Sequence, residues 1–365
     1  MKFVITKEIL VETLQKILGP STTKQNFPVL NSVFLETSKN RLKLTTTDLD
    51  VSFIASIEAQ IKEDGKIAVP MKRLLAICRE LPACEITIET NKNNLLIRCE
   101  KIEFKINTIA SEEFPKVEEG KKASLIKINP HNLEEMLRMT AFCVGYEEVN
   151  YVLNGVLFEI FEESITAVAT DGKRLSMSKK NLAKTQTPIK ERINFILPIK
   201  AVNEVYKIIK EKEEEMFLVV EENRVGFDFK ETQFFCRPIE GDFPEYSQYI
   251  PKEGKDKLTI DRLDFLLALK RADVLSTPDY QGVKLELKKE GVTLSKNAPQ
   301  LGEAREDVAA QYSGENLQIG FNPAYLIDLL KNLTEEKVCL EFLGSGKPAV
   351  LRKEDYIYLA LPMAL

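Results

Sequence analysis

The sequence predicts an α+β fold made of three copies of one unit, each with two helices packed on antiparallel strands. An internal repeat is the first observation behind this prediction. The segment VLNSVFLE at residues 29–36 recurs as VLNGVLFE at residues 152–159, a shift of 123 residues. The pair Thr47 and Asp48 recurs at the same shift as Thr170 and Asp171. Two matches in one register indicate a repeated structural unit.

Helical periodicity at the start of each copy is the second observation. Thr6, Asn129 and Asp261 each follow an isoleucine and are typical helix caps. Pro130 stands at the first helical position of the second copy, where a missing N–H is tolerated. Residues suited to a buried stripe follow at helical spacing: Leu10, Thr13, Leu14 and Ile17, then Leu133, Met136, Leu137 and Thr140, then Phe265, Ala268 and Leu269.

A second helix in each copy begins at a proline, roughly 65 residues after the first helix starts. The three prolines are Pro70, Pro198 and Pro323. Apolar residues four and seven positions onward predict a buried stripe on each helix, namely Leu74 and Ile77, Val202 and Val205, and Ile327 and Leu330. Segments with a period of two follow and predict strands. The repeat boundaries give three domains, at residues 1–122, 123–252 and 253–365.

Composition excludes several classes of protein. The 365 residues include one histidine, His131, so a zinc cage or a Ser-His-Asp triad has few ligands to use. The six cysteines form no C-x-x-C pair and lie mostly in apolar segments, which favours buried free thiols over disulfides or metal ligands. No apolar run approaches the roughly 18 residues of a membrane helix, and the start does not read as a signal peptide. We therefore expect a cytoplasmic protein without metal, cofactor or membrane partner.

Seven short segments, spread along the whole chain in a specific order, resemble bacterial DNA sliding clamps, the β subunit of DNA polymerase III. They are MKF at 1–3, TDL at 47–49, YVLNG at 151–155, ATDGKRL at 169–175, FPEY at 243–246, GFN at 320–322 and LPMAL at 361–365. The resemblance implies a non-catalytic processivity factor. It also implies a head-to-tail homodimer that forms a ring of six clamp domains, lined by twelve helices of about 10 Å diameter around a hole of roughly 28 Å.

The resemblance implies that the ring encircles duplex DNA without reading its sequence. A net charge of −5 argues against a wholly DNA-binding surface, but the six helical segments sum to about +3. Phosphate-directed contacts are expected from these helices because base contacts would stop sliding. The DNA-facing candidates are Lys72, Arg73, Arg79, Lys200, Lys207 and Lys210 on the second helices, with Lys24 and Tyr151 added by the resemblance. The alternative to a DNA contact is that each lysine simply lies on a solvent-exposed helix face.

The second site implied by the resemblance is an apolar groove between the second and third domains. In the family it binds short motifs, often glutamine followed by leucine and aromatic residues, of the polymerase III α subunit, the clamp loader and other clamp-motif proteins. Carried over by motif, its walls are Leu153, Thr170, Gly172, Lys173, Arg174, Leu175, Pro244, Gln248, Tyr249, Asn322, Tyr325, Leu361, Pro362, Met363 and Leu365. The alternative interpretation of Leu153 and Leu175 is that they are ordinary core residues.

This chain departs from the family's usual groove at three positions. Gln248 stands where arginine is common, Leu361 where methionine is common, and Ala364 where a basic residue is common. These departures leave the peptide preference open. The resemblance also implies a dimer interface in which Phe104 and Ile106, on an edge strand, face Val274 and Leu275 of the other protomer.

Two other functions compete with the sliding clamp. The first is a nucleotide-processing enzyme that uses Asp48 and Asp171 as acid and base, although their shared register favours a turn or cap. The second is a specialised extra clamp, for instance one that confers resistance to a groove-binding inhibitor. The segment GSGK at residues 344–347 lacks the first glycine and the Ser/Thr of a phosphate-binding loop, so we predict a hairpin turn there.

Overall fold

The protein was analysed as a computed structural model that describes residues 1–22, 27–120, 125–146, 150–182, 191–209, 215–299 and 301–364. It divides into two compact units. Unit 1 contains Met1–His131 and Asn203–Pro238, and unit 2 contains Asn132–Val202 and Ile239–Leu365. Residues of the second predicted domain therefore occur in both units.

The predicted α+β class is confirmed by helices interspersed with many short strands. The described helices are α1 (Lys7–Lys16), α2 (Met71–Glu80), α3 (Pro130–Thr140), α4 (Ile199–Ile209), α5 (Arg262–Asp273) and α6 (Pro323–Asn332). The strands of unit 1 are β1 (Lys2–Thr6), β2 (Ser32–Ser38), β3 (Arg41–Thr47), β4 (Val51–Glu58), β5 (Gln60–Glu63), β6 (Gly65–Pro70), β7 (Glu85–Asn91), β8 (Asn94–Cys99), β9 (Ile102–Asn107), β10 (Leu125–Ile128), β15 (Met216–Glu221), β16 (Arg224–Asp228) and β17 (Thr232–Cys236).

The remaining strands belong to unit 2. They are β11 (Gly155–Phe161), β12 (Ser164–Thr170), β13 (Arg174–Asn181), β14 (Ile193–Pro198), β18 (Asp256–Asp261), β19 (Val283–Lys288), β20 (Gly291–Ala298), β21 (Gly302–Tyr312), β22 (Leu317–Phe321), β23 (Lys337–Phe342), β24 (Ala349–Arg352) and β25 (Tyr356–Ala360).

Unit 1 contains two antiparallel sheets. The smaller has the strand order β5-β1-β7-β8-β9, so β9 lies at an edge. The larger has the order β10-β15-β16-β17-β4-β3-β2-β6, in which β17 pairs with β4. Helices α1 and α2 pack against each other in this unit.

Unit 2 contains one antiparallel sheet of twelve strands, ordered β14-β11-β12-β13-β25-β24-β23-β18-β21-β20-β19-β22. The last strand of the chain, β25, pairs with β13, so the C-terminal segment leaves the sheet beside the ATDGKRL segment. Helices α5 and α6 pack against each other. The GSGK segment lies in the turn between β23 and β24, which confirms the predicted hairpin.

The predicted helix stripes are confirmed, because every residue assigned to them is buried: Leu10, Thr13, Leu14, Ile17, Leu74, Ile77, Leu133, Met136, Leu137, Thr140, Val202, Val205, Phe265, Ala268, Leu269, Ile327 and Leu330. Asp261 caps α5 by accepting from two backbone N–H groups, and the Asn129 side chain accepts from the N–H of His131. Thr6 precedes α1 but makes no side-chain cap hydrogen bond. The prediction that each second helix begins at its proline is correct for one copy only. Pro70 and Pro198 end strands, while Pro323 alone begins its helix.

The expectation that all cysteines are buried free thiols is wrong for three of them. Cys84 and Cys99 form a disulfide, and Cys339 is free but exposed on β23. Sequence spacing did not reveal the disulfide because its partners are brought together by the pairing of β7 with β8. Cys78, Cys143 and Cys236 are buried and free as expected. Burial raises the pKa of the Cys78 and Cys236 thiols to about 12, which keeps them protonated and unreactive at neutral pH.

Candidate functional site

The repeated Thr-Asp pair forms a tight turn between two strands. In unit 2, the Asp171 carboxylate accepts from the N–H groups of Lys173 (3.0 Å) and Arg174 (2.9 Å). The Thr170 hydroxyl accepts from the N–H of Gly172 (3.1 Å) and donates to the Arg174 carbonyl (2.6 Å). Gly172 has a φ of +82°, a backbone conformation that favours glycine. This confirms the predicted turn role of Asp171.

Asp48 occupies the equivalent turn of unit 1 and is fully buried. Its carboxylate accepts from the N–H groups of Asp50 (3.1 Å) and Val51 (2.9 Å). In both aspartates one carboxylate oxygen accepts from two backbone N–H groups, as in Asx turns. The described residues also contain no cluster of three or more His, Cys, Asp or Glu side chains able to hold a metal ion. Neither observation favours the enzyme interpretation of Asp48 and Asp171.

Arg174 is the centre of the site in unit 2. Its guanidinium pairs with Asp171 (3.0 Å) and with Asp328 of α6 (2.8 Å), and it donates to the Phe142 carbonyl (2.7 Å). It also lies 4.8 Å from the centroid of the Tyr325 ring. Only 11% of the side chain is exposed, and each of its three nitrogens donates to one of these oxygens. Arg174 thus ties the turn after β12 to helix α6.

Tyr325 and Asn322 complete this part of the site. The Asn322 side chain accepts from the N–H of Ala324 (3.0 Å) and thereby caps α6. Burial, with a further contribution from the Asp171 carboxylate, raises the pKa of the Tyr325 hydroxyl above its ordinary value. That hydroxyl is therefore neutral and able to donate a hydrogen bond at physiological pH.

The C-terminal tail, defined as residues 361–365, is fixed to this unit through its backbone. The N–H of Leu361 donates to the Lys173 carbonyl and the N–H of Met363 to the Gly320 carbonyl, each at 2.8 Å. Leu361 is 41% exposed, and Pro362 and Met363 are partly buried. Leu365 lies outside the described residues. Leu361 therefore presents an apolar side chain beside the Thr170–Arg174 turn.

The apolar base of this region is a cluster that contains Leu175, with 3% of its surface exposed. Phe243, Tyr246 and Ile250 pack against the cluster. The segment they belong to carries Pro244, Gln248 and Tyr249, all of which are exposed. Leu153 is buried, and its carbonyl accepts from the N–H of Gly145 (2.9 Å). This burial supports the core interpretation of Leu175 and Leu153.

Direct contacts connect the turn, the tail and helix α6 of the predicted groove. Arg174 links the turn to Tyr325, Lys173 links it to the tail, and Gly320, two residues before Asn322, binds the tail at Met363. Sequence reasoning missed Phe142 and Asp328, the two partners that hold Arg174 from outside its own turn. Nothing in the sequence marks them, since they lie 32 and 154 residues from Arg174.

The predicted DNA-facing residues differ in their surroundings. Lys72, Arg73 and Arg79 are exposed on α2, on the face opposite its buried stripe. On α4, Lys200 is partly buried, and Lys207 is exposed but pairs with Glu204 at 2.8 Å. That pairing reduces the positive charge that Lys207 presents. Tyr151 is 54% exposed, and Lys24 and Lys210 lie outside the described residues.

The residues predicted at the dimer interface differ in their exposure. In unit 1 they lie on the edge strand β9, where Phe104 is 38% exposed and Ile106 is buried. In unit 2 they follow α5, where Val274 is 79% exposed and Leu275 is partly buried. An uncovered edge strand such as β9 leaves backbone groups free to associate with another chain.

Comparison with known proteins defines the class. The sequence matches the N-terminal, central and C-terminal domains of the DNA polymerase III beta subunit at residues 1–118, 127–245 and 247–364. It is 32% identical to the beta sliding clamp of Pseudomonas putida and 30% identical to that of Bacillus subtilis, covering 100% of this chain and at least 99% of each relative. A crystal structure of the Pseudomonas aeruginosa sliding clamp superposes with a TM-score of 0.94 at 32% identity and full coverage of both chains.

These matches place the molecule among the ring-type processivity factors of replication, which have no catalytic activity of their own. The chain belongs to the bacterial DNA polymerase III beta subunit family, the beta sliding clamps. A further neighbour is the Pseudomonas aeruginosa clamp bound to griselimycin, with a TM-score of 0.94 at 32% identity and full coverage of both chains. None of the described helices is long and apolar enough to cross a membrane.

Arg174→Met tests whether this arginine holds the site together. The substitution keeps an unbranched side chain but leaves Asp328 and Asp171 without their cation, so we expect the free energy of unfolding to fall by about 1–3 kcal/mol. Urea unfolding measures the loss. Lys173→Met, at the exposed neighbouring position of the same turn, is the matched control and should be nearly neutral. Equal stabilities of the two variants would contradict the structural role of Arg174.

Proposed function

We propose that two copies of this chain close head to tail into a ring of six domains around duplex DNA in the bacterial cytoplasm. The ring slides without reading sequence and tethers the polymerase III α subunit, the clamp loader and other clamp-motif proteins. The observation that carries this proposal is the match of all three family domains in order over the whole chain. Ring closure supplies the residence time on DNA, so tight binding is unnecessary.

The arrangement of α2 supports weak contact with phosphates. Its buried face contains Leu74 and Ile77. All three basic residues of the helix, Lys72, Arg73 and Arg79, are therefore exposed on the opposite face. Long basic side chains bind the phosphate oxygens of DNA whatever its base sequence. We place Lys200, Lys207, Tyr151, Lys24 and Lys210 on the same DNA-facing surface by family resemblance.

The proposed partner site is the groove beside the Thr170–Arg174 turn in unit 2. Exposed Leu361 and Tyr249 offer apolar contacts, and Tyr325 offers a hydroxyl donor. An apolar groove with a few oriented polar groups suits a short peptide with leucine and aromatic anchors. The contacts of Arg174 indicate that it holds the wall in place and leaves peptide binding to its neighbours.

Solution behaviour on DNA tests the whole proposal. The protein loaded on nicked circular DNA should stay bound, then dissociate within minutes once the circle is cut. Its mass in solution should be near twice 41.5 kDa. Direct binding to a short linear duplex should be weak and should weaken further with salt, because it rests on phosphate contacts. Tight, salt-resistant and sequence-selective binding to that duplex would rule the ring out.

A further inference from the structure

We propose that Lys296 is a positioning residue for ring closure, because its ammonium group anchors the loop that carries Val274 and Leu275. This loop, residues 274–282, joins α5 to β19. The two residues at its start are those expected to face the other protomer. The inference therefore rests on the head-to-tail ring proposed above, and it adds the side chain that keeps one of the two contacting surfaces in place.

Lys296 lies at a position of β20 where a core residue is expected. Side chains alternate between the two faces of a strand, so Lys296 shares a face with Leu294 and Ala298. Both of these neighbours are buried, and helix α5 packs against the strand. Lys296 itself is only 3% exposed. A buried ammonium group loses its hydration, so it requires hydrogen-bond partners inside the protein.

The partners of this ammonium group all lie in the loop. The Lys296 Nζ atom donates to the Ser276 hydroxyl (2.9 Å), the Tyr280 carbonyl (2.7 Å) and the Gly282 carbonyl (3.1 Å). An ammonium group has three hydrogens, so these bonds use its whole donor capacity. Three neutral oxygens of one loop are therefore gathered around a single cation.

The three bonds connect both ends of the loop to the sheet. Ser276 directly follows Leu275, whereas Gly282 directly precedes β19. The backbones of Thr277 and Tyr280 are bonded to each other in both directions, at 3.2 and 3.1 Å. Those two bonds close a short turn within the loop but do not attach it to a strand. The Lys296 side chain makes that attachment from β20.

The expected interface residues lie between two fixed points. Before them, α5 ends at Asp273, whose carbonyl accepts from the N–H of Ser276 at 2.8 Å. After them, the Ser276 hydroxyl accepts from Lys296. Val274 is 79% exposed, so its position depends on the backbone on either side and not on packing of its own side chain. Lys296 therefore acts on the interface through the loop and does not need to touch the other protomer.

Removing the ammonium group should free the loop. Lys296→Met keeps a long unbranched side chain in the core but leaves the Ser276 and Gly282 oxygens without this donor. Asn322 also reaches the loop, but its Nδ2 atom lies 3.4 Å from Gln281 Oε1, so that bond is weaker. A freed loop must be ordered again when a second copy docks. Ordering the backbone of one residue corresponds to about a tenfold loss of affinity.

Mixed dimers with one closed interface test the inference on full-length chains. One chain carries Phe104→Asp and contributes only its third domain to the contact, and the other carries Val274→Asp and Leu275→Asp and contributes only its first domain. Lys296→Met in the first chain should raise the dissociation constant of the mixed dimer at least about tenfold. In the second chain it should change nothing, because the altered loop is then outside the contact. Fluorescence energy transfer between labelled chains measures the constant.

A control and a direct view of the loop accompany this measurement. Lys288→Met in the first chain should leave the dissociation constant unchanged, because Lys288 is exposed on β19, the strand beside β20. Hydrogen exchange on the Phe104→Asp chain reports the loop without a partner over it. Lys296→Met should speed exchange at residues 276–280, whereas the amides of β20 should stay protected.

Three outcomes would overturn the role of Lys296. Equal weakening whichever chain carries Lys296→Met would indicate a general loss of stability, and no weakening in either chain would leave the interface independent of this side chain. Unchanged exchange in the loop would show that the ammonium group does not anchor it. If the two parent chains form no mixed dimer, the proposed ring interface is itself wrong and this inference falls with it.

Discussion

Deleting Met363, Ala364 and Leu365 is expected to leave a folded dimer that no longer binds clamp-motif peptides. The deletion removes apolar Met363, whose N–H binds the Gly320 carbonyl of β22, together with Ala364 and Leu365. Energetically important residues at an interface contribute about 1–3 kcal/mol each, so we expect the peptide dissociation constant to rise at least about 100-fold. Fluorescence anisotropy with a labelled peptide containing glutamine, leucine and phenylalanine measures the loss, and processive DNA synthesis should fail with it.

A matched variant distinguishes the contribution of the Met363 side chain from that of the tail backbone. Met363→Ser keeps the backbone hydrogen bond to the Gly320 carbonyl and removes the apolar side chain. If the apolar contact matters, this variant should lose part of the affinity without loss of thermal stability. The same peptide should protect Leu361 and Tyr325 from hydrogen exchange in the intact protein. An unchanged affinity after the deletion would place the partner site elsewhere.

Local patterns predicted the helices and turns well because short-range physics fixes them. The stripe of α6 follows from a period of 3.6 residues alone, and Ile327 and Leu330 are buried as expected. The role of Asp171 as a turn acceptor followed from its register in the repeat. Asp261 was likewise predicted as a cap from its position at the start of the third copy, directly after an isoleucine. The Thr6 side chain, a favourable cap by composition, makes no cap bond, which shows that residue type alone does not decide this contact.

Contacts between distant segments could not be predicted from one sequence. The partner of Arg174 on α6, Asp328, lies 154 residues away, and its spacing from Arg174 carries no periodic signal. Cys84 and Cys99 approach each other through strand pairing, which the scattered cysteine spacing did not suggest. Family resemblance therefore supplied the groove residues, whereas the structure supplied the reason that Arg174 is held in the wall.

Charging Val274 and Leu275 together to aspartate should convert the dimer into folded monomers of 41.5 kDa. If this surface packs on Phe104 and Ile106 of a second copy, the change buries unpaired carboxylates in an apolar contact, which is strongly unfavourable. Light scattering or analytical ultracentrifugation measures the mass. Phe161→Asp provides the control, because Phe161 is similarly apolar and 42% exposed but lies in the middle predicted domain, outside the proposed interface.

Mixing two interface variants gives the sharper test of head-to-tail closure. The Phe104→Asp chain keeps its intact third domain, and the Val274→Asp/Leu275→Asp chain keeps its intact first domain. A heterologous contact joins those two intact surfaces, so two monomeric variants should form a mixed dimer with one closed and one open interface. This open dimer should not remain on circular DNA, because DNA can leave through the gap. If each variant is dimeric alone, or if the mixture stays monomeric, Phe104 and Val274 do not face each other across the interface.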